Sequence, residues 1–542
     1  MIALDTPAKQ PVSPAVNSDA STREYVAPDA PLVFESNVAA PTVQFGTDGW
    51  RAVMGEGFDT KTLARVADAA ARVFCVERPQ GAQESNSNNR IIISYDCREN
   101  AGRYAALAGS VMAAHGFEVV VSDTYCPTPT LCWSVANDPQ AVGGMMLTSS
   151  HNPAEYLGVK LRMADGGASP AAFTDRVEAA LEDELPACYT TALAAAEASS
   201  SGVPGAPTVS CALTSHLRFS DLMTPYLHDL MSFVDAELIK AARLRVVVDS
   251  LFGAGRVYLA QVLRQLGVEV REVNAGCDPR FGGLHPEPIA PWIATGAEAV
   301  SKLGYDACFV TDGDADRIGA ADSDGAFVSP HRILALIVAH LVEGKGMTGR
   351  VVRTLSGSNL IKRECERLGL ELTTTPIGFK WIYEEMLKGD VLVGGEESGG
   401  IGMPAHVCER DGLLMALLLT ELMAKKAKTL RELVAELLQS LGNFDYSRRD
   451  LRLDPAQKDA FVAAHIQAHQ GEEGYAKRFS ALGEEVVAVD HRDGVWIGFA
   501  SDAWLLMRLS GTEPLVRVYA EATSRGRVEE LLDAGCAIAQ GR

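Results

Sequence analysis

The sequence is short of positive charge. Its 542 residues contain 49 Lys and Arg against 70 Asp and Glu, a formal net charge of −21. Nucleic acids and anionic membrane surfaces repel such a protein, so neither is an expected partner. Its longest apolar helical stretches, 333–342 and 413–424, also fall short of the roughly 20 residues that a membrane span needs.

Several familiar motifs are missing as well. The 11 cysteines form no Cys-x-x-Cys pair, which favours reduced thiols over a disulfide framework. There is no Walker motif, no His-Glu-x-x-His, and no third glycine after Gly253-Ala254-Gly255, which argues against these nucleotide and zinc sites. Residues 1–42 lack the basic start and apolar core of a signal peptide, so we predict a disordered leader and a cytoplasmic protein.

One pattern is present three times and predicts the architecture. From Arg90, Arg245 and Arg350 the chain reads strand, helix, glycine and strand, which is typical of a right-handed βαβ unit in a mixed or parallel sheet. With 47% hydrophobic residues and this length, we expect an α/β protein of several domains. The predicted units are three related α/β domains at 43–215, 216–327 and 328–442, and a smaller α+β domain at 443–542.

Two low-complexity stretches interrupt the first of these domains. Residues 80–89 are rich in Asn and Ser, and residues 190–208 are rich in Ala, Ser, Gly and Pro. Both compositions predict flexible surface insertions or linkers.

Ser150 is a candidate nucleophile. It lies in Thr-Ser-Ser-His-Asn-Pro at 148–153, directly after the apolar run 142–147. The neighbouring His151 is a poor candidate for its base, because adjacent side chains seldom converge. A plain turn serine remains the alternative, although Lys160 could bring a cation to the same loop.

Asp312, Asp314 and Asp316 alternate directly after the apolar strand 308–311. Three clustered carboxylates repel one another, and a bound Mg²⁺ would relieve that repulsion through its preference for oxygen ligands. An EF-hand fails, since Arg317 and Ser323 occupy the positions that need Gly and Glu. A solvated acidic turn is the alternative.

Two further loops suit a sugar phosphate. Residues 394–400, Gly-Gly-Glu-Glu-Ser-Gly-Gly, combine flexible backbone with groups that bind hydroxyls, although a hinge would look similar. Residues 508–517 place two arginines around Ser-Gly-Thr, which would cradle a phosphate unless this is a simple surface loop. A serine, a cation site and clustered positive charge are what phosphoryl transfer requires.

These loops, in this order, resemble those of the α-D-phosphohexomutase superfamily, most of all its phosphoglucomutases. The resemblance runs from about residue 43 to near the C-terminus and implies four domains around one central cleft. Ser149 departs from the small Ala or Gly common before the active serine. That departure removes no catalytic group.

The resemblance also implies residue roles. Ser150 would be the phosphoserine and would join the three aspartates around Mg²⁺, while Lys160 would serve proton transfer beside Arg51 and Arg317. Substrate-binding groups would be His151, Lys380, Glu396, Ser398, Arg508, Ser510, Gly511, Thr512 and Arg517.

The implied reaction interconverts glucose 1-phosphate and glucose 6-phosphate through glucose 1,6-bisphosphate, which also serves as activator. The expected partners are small hexose phosphates, and the expected state is a monomer or homodimer. A phosphomannomutase or phosphoglucosamine mutase of the same mechanism is the main alternative. A phosphatase-like hydrolase and a sugar-phosphate sensor without turnover are the others.

Overall fold

The computed structural model describes residues 32–33, 42–46, 48–77, 89–198, 216–467, 472–509 and 515–542. Most of the predicted leader, most of 80–89 and the part of 190–208 beyond residue 198 lie outside these residues. No helix in the described ranges combines the length and apolar character needed to cross a bilayer.

The first unit is built on a six-stranded mixed sheet in the order β1-β5-β4-β2-β3-β6. β2, β3, β4 and β6 run parallel, whereas β5 pairs antiparallel with both β4 and β1. Its elements are β1 (Trp50–Val53), α1 (Thr60–Glu77), β2 (Arg90–Tyr95), α2 (Ala101–Ala114), β3 (Glu118–Ser122), α3 (Thr128–Ala136), β4 (Ala141–Leu147), β5 (Tyr156–Met163), α4 (Ala171–Ala179), α5 (Tyr189–Ala198) and β6 (Leu217–Ser220).

The second unit has a five-stranded mixed sheet in the order β11-β10-β9-β7-β8. β7 pairs parallel with β8 and β9, and β10 returns antiparallel beside β9. Its elements are α6 (Met223–Ser232), α7 (Ala236–Ala242), β7 (Arg245–Asp249), α8 (Tyr258–Gln265), β8 (Glu269–Val273), a 3₁₀ turn (Phe281–Gly283), α9 (Ala294–Leu303), β9 (Ala307–Thr311), β10 (Ile318–Asp322) and β11 (Phe327–Val328).

The third unit has a four-stranded mixed sheet in the order β13-β12-β14-β15. Only β15 runs antiparallel to its neighbour. Its elements are α10 (Pro330–Ala339), a π turn (His340–Gly344), β12 (Arg350–Thr354), α11 (Asn359–Leu368), β13 (Leu372–Thr375), α12 (Phe379–Met386), β14 (Val391–Gly395), β15 (Ile401–Gly402), α13 (Gly412–Lys426) and α14 (Leu430–Leu441).

The fourth unit is different, because its five strands are all antiparallel, in the order β16-β20-β19-β18-β17. This difference confirms the predicted fold class of three α/β units and an α+β tail. Its elements are β16 (Asp445–Arg452), α15 (Pro455–Phe461), a π turn (Val462–Gln467), α16 (Glu472–Ser480), β17 (Val486–Asp490), β18 (Val495–Phe499), β19 (Trp504–Leu509), β20 (Leu515–Ala522) and α17 (Arg525–Ala539).

The three predicted βαβ units form, each with the predicted glycine between its helix and its second strand. Gly116, Gly267 and Gly369 have φ of 83°, 82° and 68°. Each therefore stops a helix in the left-handed region that glycine adopts without strain, and the strand starts beyond it.

The core is continuous across the first three units. One cluster of buried side chains extends from the first sheet to α14, and a separate cluster fills the fourth unit. Helix α13 is buried along nearly its whole length, which explains its run of Leu and Met. The first three units therefore pack around a shared interior that fixes their loops relative to one another.

Two details differ from the sequence expectations. The start of the low-complexity stretch 190–208 is helical, as part of α5, and α5 packs against α2. Ala192 and Ala196 are buried there, whereas Ala194 is exposed. Strand β6 pairs with β3 and so belongs to the first sheet, although the second domain was predicted to begin at residue 216.

Candidate active site

Ser150 lies in the turn that joins β4 to the antiparallel β5. Its side chain is 1% exposed and its φ is 51°, a left-handed conformation that is costly for a residue with a Cβ. The backbone N–H of Ser150 donates to Thr148 Oγ1 at 2.8 Å, and that hydroxyl donates to Asp96 Oδ2 at 2.6 Å. The strained turn is thus held by the end of β2.

Arg98 fixes the rest of this turn. Its Nη2 donates to the carbonyls of Ser150 and Asn152 at 2.8 and 2.6 Å, and its Nη1 to those of Pro153 and Tyr156 at 2.6 and 2.9 Å. Nε donates to Asp96 Oδ2 at 3.0 Å, and the side chain is fully buried. One guanidinium therefore donates hydrogen bonds to four carbonyls of this loop.

The three aspartates occupy the turn between β9 and β10 in the second unit. All are fully buried, and they offer carboxylate oxygens within 4.8 Å of one another. Burial, followed by the charges of its two neighbours, raises the pKa of Asp312 well above its usual range. For Asp314, burial acts to raise the pKa, but its positive neighbours, Lys160 foremost, bring it below its usual range.

The two turns meet at atomic contact. Ser150 Oγ donates to Asp312 Oδ2 at 3.0 Å. A Cβ on Gly313 would lie 2.4 Å from the Ser150 carbonyl oxygen, so only glycine fits there. Thr128, at the start of α3, also donates through Oγ1 to Asp314 Oδ2 at 2.5 Å. The first and second units therefore assemble this centre jointly.

The residues present fit a divalent cation. Oδ1 of Asp314 and Oδ1 of Asp316 are buried and accept no hydrogen bond from the described part of the chain. Buried carboxylate oxygens without donors are costly unless something positive satisfies them. An all-oxygen donor set is what Mg²⁺ prefers.

Lys160 reaches the same carboxylates from β5. Its Nζ lies 2.8 Å from Asp314 Oδ2, 2.7 Å from Asp316 Oδ2 and 2.9 Å from Asp48 Oδ2. Burial acts to lower the lysine pKa, but these three carboxylates raise it above its usual value. The ammonium is therefore charged at neutral pH, as a proton donor rather than a base.

Arg410 is a residue that sequence reasoning missed. Its guanidinium pairs with Asp48, lies 2.9 Å from Asp316 Oδ2 and 3.8 Å from Glu396 Oε2. It thus links the aspartate cluster to the 394–400 loop. The available signal was the charged run Glu409-Arg410-Asp411 directly before the apolar α13, whose first turn Asp411 caps through Leu414 N at 2.9 Å.

His151 contradicts the sequence argument about adjacent side chains. Its Nδ1 lies 3.4 Å from Ser150 Oγ, so the two side chains do converge. Burial and the nearby charge of Arg317 hold the pKa of His151 well below its usual range. A neutral imidazole therefore lies beside the serine.

Other predicted residues surround this centre. Arg51 donates to Asn152 Oδ1 at 2.7 Å, and the Arg317 backbone N–H donates to Asp312 Oδ1 at 3.1 Å. Glu396 is 8% exposed, and burial raises its pKa to about 7 against the opposing charge of Arg410. These side chains place positive charge and a weakly acidic carboxyl around the aspartates.

The remaining predicted residues that the structure describes belong to the third and fourth units. Lys380 lines a cavity of about 70 Å³ with Phe45, Asp48 and Asp175. Arg508 and Arg517 face each other across β19 and β20, where Arg508 Nε donates to Asp493 Oδ1 at 2.7 Å. Ser398 follows Glu396 in its loop, with no contact to the serine centre among the described interactions. Ser510, Gly511 and Thr512 lie outside the described residues.

Known proteins match the chain along most of its length. Models of phosphoglucomutase/phosphomannomutase α/β/α domains I, II and III match residues 42–187, 224–325 and 329–441, and the model of the family's C-terminal domain matches 451–537. A phosphoglucomutase/phosphomannomutase of Thermococcus kodakarensis is 29% identical over 91% of this chain and 97% of its own length. A phosphoglucosamine/phosphogalactosamine mutase of Sulfurisphaera tokodaii is 27% identical over 92% and 99%. The solved structure of a phosphomannomutase-like protein of Thermus thermophilus is 32% identical, with a TM-score of 0.74 over 91% of this chain and 98% of that one.

Proposed function

This chain belongs to the phosphoglucomutase/phosphomannomutase family, and from that premise we propose that it interconverts glucose 1-phosphate and glucose 6-phosphate through a phosphorylated Ser150. The observation that carries the proposal is the contact of 3.0 Å between Ser150 Oγ and Asp312 Oδ2, beside two more aspartates and Lys160. A serine hydroxyl is a poor nucleophile unless its surroundings activate it. Here a cation site, a charged lysine and a neutral histidine surround it.

The proposed cycle has two transfers of opposite direction. Phosphoserine 150 gives its phosphoryl group to a free sugar hydroxyl, so the P–Oγ bond breaks and a P–O bond to the sugar forms. The resulting glucose 1,6-bisphosphate then returns its other phosphoryl group to Ser150. Mg²⁺, when held by Asp312, Asp314, Asp316 and the phosphoserine, would supply positive charge to the transferring group.

Protons move with each transfer. In each transfer the oxygen that loses phosphate gains a proton and the attacking hydroxyl releases one; Lys160, charged beside its carboxylates, is suited to give the first proton and to take back the second. His151, neutral and with its Nδ1 3.4 Å from Ser150 Oγ, is suited to orient the serine hydroxyl by a hydrogen bond. Arg51 and Arg317 add charge that favours the dianionic group.

The sugar is proposed to lie against the 394–400 loop. Glu396 and Ser398 can accept and donate hydrogen bonds to hydroxyls, and Lys380, Arg508, Ser510, Gly511, Thr512 and Arg517 are proposed to hold the phosphate that is not transferred. This Gly-Glu-Glu-Ser-Gly-Gly sequence is what favours glucose. The names of the relatives, which include phosphomannomutase and phosphoglucosamine mutase, make mannose and glucosamine phosphates the second candidates.

The test is isomerisation of glucose 1-phosphate with Mg²⁺ and a trace of glucose 1,6-bisphosphate. Mannose 1-phosphate and glucosamine 1-phosphate run in parallel, beside Ser150→Ala and the matched control Ser149→Ala. We expect fast conversion of the glucose ester, lost in Ser150→Ala and retained in the control. Conversion of another sugar alone would overturn the substrate assignment. Release of inorganic phosphate without isomerisation, or binding without turnover, would overturn the reaction.

A further inference from the structure

Two cysteines from different units share one arginine. Arg256 Nε donates to Cys97 Sγ at 3.4 Å, and Arg256 Nη2 donates to Cys277 Sγ at 3.4 Å. Cys97 follows the end of β2 in the first unit, and Cys277 lies in the loop after β8 in the second. The proposed mutase reaction uses neither thiol.

The choice of donors places the two sulfurs side by side. Nε and Nη2 form one edge of the planar guanidinium, and their N–H bonds point the same way. In this protein the same two donors of Arg350 hold both oxygens of the single carboxylate of Asp390. The thiols of Cys97 and Cys277 occupy the equivalent positions on Arg256.

Their surroundings differ in a way that sets an order of reaction. Cys277 is exposed, whereas Cys97 is 8% exposed, and burial raises the pKa of Cys97 to about 12 against the opposing charge of Arg256. The ring of Tyr125 covers the guanidinium face at 4.0 Å. An oxidant from solvent therefore meets Cys277 first, with Cys97 behind it as the second thiol.

We propose that Cys97 and Cys277 form a reversible disulfide on exposure to a peroxide, joining the first and second units. The Cys277 thiolate attacks one peroxide oxygen, the O–O bond breaks, and the released hydroxide takes up a proton, which leaves a sulfenic acid. Cys97 sulfur then attacks Cys277 sulfur, and the departing hydroxide leaves as water with the Cys97 proton. Overall two thiols and one hydrogen peroxide give one disulfide and two waters.

The bond would lie close to the serine turn. Cys97 is flanked by Asp96 and Arg98, which hold that turn, and the loop of Cys277 also carries Phe281, whose ring lies 4.9 Å from the Arg98 guanidinium. A covalent link between these segments restricts separation of the two units. Cross-links between distant parts of a chain stabilise chiefly by limiting the unfolded state.

The experiment treats the full-length protein with hydrogen peroxide, with and without later dithiothreitol. Peptide mapping under non-reducing conditions is expected to find the Cys97 and Cys277 peptides linked, and to find them separate after reduction. The melting temperature is expected to rise on oxidation and to fall back on reduction. Cys277→Ser should lose both effects, and Cys75→Ser, which removes a half-buried thiol elsewhere, should keep them.

Three outcomes would overturn the proposal. One is stable oxidation of Cys277 alone with Cys97 still free. Another is a linkage between other cysteines that persists in Cys277→Ser. The third is a linked peptide with no rise in melting temperature, which would show that the bond does not restrain the two units.

Discussion

Replacing Arg98 tests how the serine turn is held. The side chain is fully buried, pairs with Asp96 and donates to four backbone carbonyls between residues 150 and 156. Removing one partner of a buried ion pair costs about 3–5 kcal/mol, because the other charge remains without compensation. We therefore expect Arg98→Met to lower the free energy of unfolding by about that amount.

The variant Arg98→Lys distinguishes the effect of Arg98 on the position of the serine turn from its effect on the stability of the protein. Lysine keeps the positive charge beside Asp96. Its single ammonium group cannot donate to all four carbonyls that the two terminal nitrogens of the planar guanidinium contact. The turn should then shift, and a misplacement of about 1 Å in a reacting group can cost roughly 100-fold in rate. We expect kcat for isomerisation to fall by about that factor, with KM changed much less.

Two assays test these expectations. Urea unfolding, monitored by tryptophan fluorescence, measures stability, and isomerisation kinetics under saturating Mg²⁺ measure kcat and KM. Arg245→Lys is the matched control, because Arg245 is exposed and donates to one carbonyl, that of Gly304, at 2.8 Å. It should change stability by no more than about 0.5 kcal/mol. Wild-type kcat in Arg98→Lys, with the unfolding midpoint also unchanged, would refute the argument that this guanidinium positions the serine.

Two further predictions concern the contact between the turns and a pH-dependent pair. Gly313→Ala places a Cβ 2.4 Å from the Ser150 carbonyl oxygen, so kcat should fall at least about tenfold, whereas Gly526→Ala, with open space around its Cβ, should retain activity. Equal activity in both variants would contradict the close contact. Burial acts to lower the pKa of His406, but hydrogen bonds to Asp229 and Asp411 raise it to about 9. The pKa of His406 is thus higher in the folded protein than the value of about 6.5 in the unfolded chain. Its protonation therefore adds roughly 3 kcal/mol to the free energy of unfolding below about pH 6.5, and this contribution is lost as the pH rises through about 9. The unfolding free energies of wild type and His406→Gln should therefore differ at pH 6 and converge by about pH 10; a constant difference would contradict the pairing.

The sequence predicted what is local and repetitive. The βαβ pattern from Arg90, Arg245 and Arg350 and the α+β tail follow from short-range periodicity and glycine stops, and the structure confirms them. The prediction of a flexible insertion was wrong for the start of the 190–208 stretch, since alanines such as Ala192 and Ala196 suit a linker and a buried helix face equally well.

The candidate site was predicted only in part, for a physical reason. Ser150 and the three aspartates stand in short polar motifs next to strands, so the sequence alone indicates their chemistry, and Lys160 follows the serine motif closely in β5. Arg98 and Arg410 act through partners from distant segments, and even the charged run at 409–411 gives no sign of which partners those are. The approach of His151 to Ser150 Oγ was not predicted, because the left-handed backbone of Ser150 is a property of the folded turn.

The ion pairs across the first two units also bear on how the chain folds. Lys160 comes from the first sheet, while its partners Asp314 and Asp316 come from the second, and all three are buried. If one sheet formed without the other, its charges would remain solvated or lie uncompensated in a half-built interior. Partly folded forms are thereby disfavoured, so we expect the two units to unfold together as one cooperative block. The charges that would handle phosphate in the native protein thus also discourage its half-folded states.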